Sequence, residues 1–283
     1  MYPVSANIVA FNEGNWLPEC IKSIIDYVDE IIYVDSNSTD NSLEIVRGFN
    51  SPKIKVYTYE DHKLNGGIGE RVQFGKAQSK NKLVLRMDGD FVAYDSLPKL
   101  FDFCLSKQEK YCCFWTEIPN VYGDIYHTNP DPQKQSFNHD AVNNGPVSGH
   151  HCFAKELQDQ CGDGPFLLHM NNLKAMRRHL YRAWWLVFEK ETGTNCTPDR
   201  YEEWLYNRWK NGKETTLTVQ EFVKDQIKIL KRKPIELTAF DFSKWGPHPS
   251  YVENSKAKDI FNLREQDEKF YLDYPDDYVS NIS

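Results

Sequence analysis

The stretch LVLRMDGDF, residues 83–91, decides the fold. Leu83-Val84-Leu85 is a short apolar run of the kind carried by a strand buried on both faces. It leads directly to Asp88 and Asp90, two acids on either side of Gly89. Aspartate is a poor strand former, so the acids mark the end of the strand. In an extended chain, residues two apart point to the same side, and both carboxylates can aim at one point. Gly89 lets the backbone turn tightly and approach a ligand. Hard divalent cations such as Mg²⁺ and Mn²⁺ prefer oxygen ligands, usually one or two protein carboxylates completed by substrate phosphates and water. The pair therefore reads as the seat of a metal ion that also holds a phosphorylated ligand. The plain alternative is a turn with two solvated acids.

Upstream of this stretch, strand and helix patterns alternate. Val4–Ala10 reads as a buried strand, and the apolar positions from Trp16 to Val28 keep helical spacing. Ile31–Val34 is a second strand, and Thr39-Asp40-Asn41 offers caps for a helix that Gly48 can end. Ile54–Tyr59 is a third strand, residues 69–80 a helix opened by Gly66-Gly67, and Leu83–Met87 a fourth strand. Ser96 and Pro98 start a further helix through Cys104, followed by a strand at Tyr111–Trp115. This alternation predicts an α/β fold with a mostly parallel central sheet and helices on both faces. In such sheets ligands sit beyond the carboxyl ends of the strands. Three strands end there in polar, acidic turns: Asn12-Glu13, Asp35 to Asp40, and Asp88 to Asp90.

Past residue 115 the pattern loosens. Residues 119–150, rich in Asn, Pro, Asp, Gly and His, read as long loops. A helix carrying both apolar and basic residues follows at about 171–190, and another at 219–230. The expected organisation is one half of a domain at 1–110, a second half of the same domain at 111–212, and a helical C-terminal extension at 213–283. The 34 basic and 41 acidic side chains leave a formal charge of −7, which speaks against a general nucleic-acid binder. No apolar run reaches spanning length. The basic helix at 171–190 allows membrane contact without spanning, although a packed helix with a solvated face is the plainer reading. No basic region followed by an apolar leader opens the sequence, so cytoplasmic is the expected localisation. The seven cysteines show no C-x-x-C spacing and read as free thiols.

The stretches VSANIVAFNEGNWLPECIKSIIDYVDEIIYVDSNSTDNSLEIV and GERVQFGKAQSKNKLVLRMDGDF together resemble the family 2 glycosyltransferases with the GT-A fold. In style they are closest to the lipopolysaccharide-core type β-glycosyltransferases. The resemblance covers roughly residues 4–107, and it implies a nucleotide-sugar-binding half at 1–110 and an acceptor-binding half at 111–212. It implies a GT-A type nucleotide-diphospho-sugar transferase fold and a sugar-transfer reaction, with a hexosyl group from a nucleotide-diphosphate sugar (UDP first) as cargo and a glycan or glycoconjugate hydroxyl as acceptor. Carried over by position, Ala10, Phe11, Asn12 and Glu13 form the first loop around the nucleotide. Asp35 accepts a hydrogen bond from the base, Arg71 helps hold the diphosphate, and Asp88 with Gly89 contacts ribose or metal. Asp90 binds Mn²⁺ or Mg²⁺, and His169, after the apolar run in GPFLLHMNN, is a further candidate ligand.

The resemblance also implies inversion, in which a carboxylate removes the acceptor proton. Glu117 and Asp163 are the first candidates for that base, with Asp124 and Asp140 behind them. Two rival readings are a sugar-phosphate nucleotidyltransferase and a non-catalytic nucleotide-sugar or glycan-binding module. The first needs a Gly-rich loop directly after the first strand, where Phe-Asn-Glu-Gly-Asn stands instead.

Overall fold

The computed structural model describes residues 2–38, 40–59, 68–144, 155–173, 188, 191–194, 204 and 237–258. Most of the helix expected at 171–190, and all of that expected at 219–230, lies outside the described residues. The first half alternates as the pattern predicts: β1 (Tyr2–Ala10), α1 (Leu17–Ile24), β2 (Val28–Asp35), α2 (Ser42–Gly48), β3 (Ile54–Thr58), α3 (Ile68–Ala77) and β4 (Leu83–Asp88). After it come β5 (Phe91–Ala93), α4 (Leu97–Lys107), β6 (Cys113–Tyr122), β7 (His127–Thr128), β8 (Ser136–Asn144), β9 (Gln158–Gln160) and β10 (Leu167–Asn172). The described C-terminal part holds β11 (Thr238–Ala239), α5 (Phe242–Trp245) and α6 (Ser250–Glu253).

Among the described residues, nine strands form one sheet in the order β3-β2-β1-β4-β8-β6-β10-β5, with β9 paired to β6. The first four are parallel. β8 enters between β4 and β6 antiparallel to both, so β6 and β10 again run parallel to β4. The carboxyl ends of β1, β2, β4, β6 and β10 therefore share one rim.

Strand alternation sorts the core. Ile31 and Tyr33 face a cluster containing Leu17, Ile21 and Ile24 of α1, Val46 of α2, and Leu100 and Phe101 of α4. Ile32 and Val34, with Val9, face Val72 of α3 on the other side. At Gly75 of α3 an added Cβ would lie 2.1 Å from Asn7 Oδ1, so a residue without a side chain is what lets this helix meet β1. Asn7 Nδ2 in turn donates to Val72 O at 2.8 Å.

One expectation changes here. Residues 119–144 are not long loops. β6 continues to Tyr122, and β8 is a nine-residue strand whose Phe137, His139 and Ala141 alternate with polar residues. Its Asn, His and Asp side chains resemble loop composition, yet His139, Asp140 and Asn143 are buried and partnered within the sheet. Residues 237–258 are also built into the body of the protein. Phe240, Trp245, Val252 and Ala257 share a buried cluster with Trp16, Val92, Ile125, Leu168 and Leu173.

Candidate active site

The site is assembled from the rim upward. The loop after β1 and the loop after β2 are latched together. Asn12, in the left-handed region at φ 52°, donates its backbone N–H to Ser38 Oγ at 3.0 Å, and its side-chain oxygen accepts from Asp40 N at 3.2 Å. Glu13 N donates to Ser42 Oγ and Gly14 N to Asp40 Oδ2, each at 3.0 Å. Glu13 O then accepts from Trp16 N and Leu17 N, which starts α1. Ala10 pairs in register with Asp35, and Phe11 follows at the loop's start.

Asp35 is fully buried at the end of β2. Its carboxylate accepts from Ser38 N at 2.8 Å and from Tyr33 OH at 3.2 Å. Burial first, and then the neighbouring Asp35 carboxylate, push the Tyr33 phenol far above its ordinary range. Asp35 therefore fixes the turn carrying Asn37 and Ser38.

Asp88 ends β4, beside Val9 of β1. At Gly89 an added Cβ would meet Glu13 Cβ at 2.9 Å and Ala10 Cβ at 3.1 Å. The tight approach anticipated at this glycine is thus to the first loop. Asp90 is 2% exposed, and its Oδ2 lies 3.3 Å from His169 Nε2. The register His169↔Phe91 with β5 and His169↔Asn120 with β6 fixes the imidazole there. Its ring stands edge-on against Phe91 and Phe137, and Nδ1 lies 2.7 Å from Asn120 Oδ1. Asp90 and His169, far apart in sequence, are thus neighbours. Arg71 is half-buried on α3, one residue from the Val72 that packs on Val9, and its Nε is buried with no hydrogen-bond partner among the described residues.

The four candidate bases have different surroundings. Glu117 lies three residues before Asn120 on β6, hence on the opposite face from the His169 contact. It accepts from Ser136 Oγ and, at 3.1 Å, from Lys244 Nζ. Burial pulls its pKa up, but these two donors together hold it below the ordinary carboxylate value. Asp163 is exposed in the turn ahead of β10, on the side from which that strand enters the sheet. The structure brings neither to the Asp90–His169 pair. Asp140 is buried and paired with Arg86. Asp124 stands past the carboxyl end of β6, on the rim, where its Oδ1 accepts from Tyr126 N and holds His127 Nδ1, each at 2.7 Å. The residues that sequence reasoning missed are Asn120, the latch serines Ser38 and Ser42, and His127. The only sequence signal for the latch was the Ser/Asn/Asp-rich composition of residues 35–42.

The sequence profile of the family described as "Glycosyl transferase family 2" matches residues 5–156, more than half of the 283-residue chain. The chain belongs to glycosyl transferase family 2. The match covers the latched loops and the Asp88–Asp90 turn and extends through β8, with the GT-A order of parallel strands followed by an inserted antiparallel one. No curated protein sequence matches this family 2 chain significantly. Similar solved structures include S. aureus TarS, 16% identical, with 95% of this chain and 55% of that one covered and a TM-score of 0.45. The TarS 1-349 structure in complex with UDP-GlcNAc has the same identity, with 95% and 91% covered and a TM-score of 0.44. Glucosyl-3-phosphoglycerate synthase from Mycobacterium tuberculosis, in complex with Mn²⁺ and UDP-glucose, is 22% identical over 42% of this chain and 43% of that one, with a TM-score of 0.33. The chain thus spans 55% of the length of full TarS. With TM-scores below one half, these likenesses decide nothing about the site. Among the described residues, no helix is long and apolar enough to cross a membrane.

Proposed function

We propose that this family 2 chain transfers a glycosyl residue, a hexose first, from a nucleoside-diphosphate sugar to a hydroxyl of a glycan or glycoconjugate, with inversion. UDP is the nucleotide that the resemblance to the family implies. The observation that carries the reading is the 3.3 Å approach of His169 Nε2 to Asp90 Oδ2, two residues from Asp88 on the rim of the sheet.

The donor set suits a divalent metal. Two ligand atoms at right angles on an octahedral ion, each about 2.1 Å from it, lie about 3 Å apart. Asp90 Oδ2 and His169 Nε2 have nearly that spacing. Two carboxylates and an imidazole match Mn²⁺, and the carboxylates match Mg²⁺. Among the described residues no three acidic, His or Cys groups form a finished metal cage. An ion in this role normally shares its shell with substrate phosphates. Asp88, Asp90 and His169 would hold it, and when bound it would offset negative charge growing on the departing diphosphate.

The protein residues divide the remaining work. The latched loop Ala10–Glu13 and the Asp35 turn wall the nucleotide, with Gly89 keeping Asp88 close beneath them. Arg71 offers its guanidinium to the diphosphate. As the acceptor oxygen bonds to the anomeric carbon, the bond from that carbon to the phosphate oxygen breaks. The hydroxyl proton passes to a base, and the nucleoside diphosphate leaves. The position of Asp124 beyond the carboxyl end of β6 favours the Asp124–His127 pair as that base over Glu117 and Asp163.

The test is nucleoside diphosphate released from a panel of UDP-sugars and hydroxyl acceptors, with and without Mn²⁺. Asp90→Asn should reduce metal-dependent release at least a hundredfold while leaving the melting temperature near that of the parent. Full activity in that variant would remove the metal site, and release of pyrophosphate would make the protein a nucleotidyltransferase.

A further inference from the structure

Asn120 sits where β6 meets β10, and hydrogen bonds fix it on every side. Its backbone N–H donates to Gln135 O at 2.8 Å, and its carbonyl accepts from Thr128 Oγ1 at 2.8 Å. Its side-chain Nδ2 donates to Lys134 O at 3.0 Å. A backbone carbonyl can only accept, so this last bond orients the amide: nitrogen toward Lys134, oxygen toward His169. Oδ1, 2.7 Å from His169 Nδ1, is likewise only an acceptor. The proton of the neutral imidazole therefore belongs on Nδ1, and Nε2 presents its lone pair toward Asp90 Oδ2.

The arrangement has a consequence for the pair. Free imidazole side chains favour the opposite tautomer, with the proton on Nε2. In that form Nε2–H would donate to Asp90 Oδ2, and the two would satisfy each other. Metal-binding histidines need an unprotonated nitrogen facing the ion, and the partner of the other nitrogen selects it. We propose that Asn120 is a positioning residue that holds His169 in the Nδ1–H tautomer, preventing His169 and Asp90 from closing into a mutual hydrogen bond and keeping both available to a divalent cation shared with the donor diphosphate. The proposal rests on the metal reading of this site given above. It adds a residue that touches neither metal nor substrate.

A residue that merely packed the strand would not move a proton between ring nitrogens, so the first measurement is the tautomer. In metal-free protein labelled with ¹⁵N-histidine, the ring nitrogens of His169, assigned with His169→Gln, should show Nδ1 protonated. In Asn120→Ala the proton should move to Nε2. In Asn120→Asp, which keeps an acceptor at the same place, it should remain on Nδ1. The backbone bonds of Asn120 to Gln135 and Thr128 survive both substitutions, so the strand is retained.

The second measurement is Mn²⁺ affinity by calorimetry in saturating UDP. Asn120→Ala should weaken it roughly tenfold to a hundredfold, and Asn120→Asp should recover most of that loss. An Nδ1–H tautomer persisting in Asn120→Ala, or an unchanged Mn²⁺ affinity there, overturns the proposal. Failure of the metal reading itself has a separate signature: Asp90→Asn and His169→Gln would bind Mn²⁺ with UDP as tightly as the parent.

Discussion

At the scale of single residues, the site is governed by buried polar groups whose partners lie far away in the chain. The position of Asp35 at the end of β2 was readable in the sequence. Its burial was not, because that depends on Tyr33 beneath it and Ser38 folding back over it. Asp35→Asn should therefore weaken UDP binding and also destabilise the fold by ~1–3 kcal/mol, the range for disturbing a buried hydrogen-bonded group. Urea unfolding and UDP titration of the same variant separate the two effects, and lost affinity without lost stability would show that the bonds to Tyr33 and Ser38 contribute nothing to the fold. His139 gives a pH prediction. Burial, then the nearby Arg86 charge, lowers its pKa from the ordinary 6.5 to about 3. Between those values the unfolded chain carries a proton that the folded one does not, so stability falls as pH drops from 6.5 toward 3. The contribution is about 1.4 kcal/mol per pH unit. His139→Phe should flatten the dependence of unfolding free energy on pH between 6 and 5 by about that slope, and an unchanged slope would mean that His139 is protonated in the fold.

At the scale of elements, the parallel half was legible because its side chains obey simple periods. β2 sends Ile31 and Tyr33 to one face and Ile32 and Val34 to the other, and α1 keeps its apolar stripe. β8 was illegible for a physical reason. Asn138, His139 and Asp140 look like loop residues, and only the neighbouring strands, through Gln160 and Arg86, supply the partners that let such residues enter a sheet. Glu117 shows the same limit at longer range, since its cationic partner, Lys244, is 127 residues away. The junction of α3 with β1 is a sensitive contact between elements. Gly75→Ala gains helix propensity of about 1 kcal/mol but drives a methyl against Asn7, whose amide cannot turn aside without losing its bond to Val72. Overpacking of this kind costs ~1–3 kcal/mol, so the variant should be less stable than the parent, and because α3 carries Arg71 it should also bind UDP less tightly. A variant as stable as the parent would show that α3 can slide on the sheet.

At the scale of the whole molecule, the rim reads as two regions, with the donor motifs of residues 10–90 on one side and the β6–β7 turn on the other. Asp124→Asn and His127→Ala should each lower the transfer rate roughly a hundredfold or more while leaving UDP affinity within about twofold, as expected of a base acting in the transition state. Loss of donor affinity in proportion to rate would place the turn in the donor site instead, and parent-like rates in both would move the base elsewhere. The two regions are joined below the rim by the apolar cluster to which residues 237–258 contribute. Trp16, the first residue after the donor loop to enter that cluster, is fully buried there and donates Nε1–H to Leu173 O at 2.6 Å. This has a consequence for biosynthesis. At about 5–20 residues per second, translation separates Trp16 from Phe240 and Trp245 by roughly 10–45 seconds. Through that interval the nascent chain can pair β1, β2 and β4, and Val92, Leu168 and Leu173 can reach Trp16 in turn, but the side of the cluster that Phe240, Trp245, Val252 and Ala257 complete stays open. The polypeptide can close that side only after the C-terminal segment emerges, so this part of the fold is completed last.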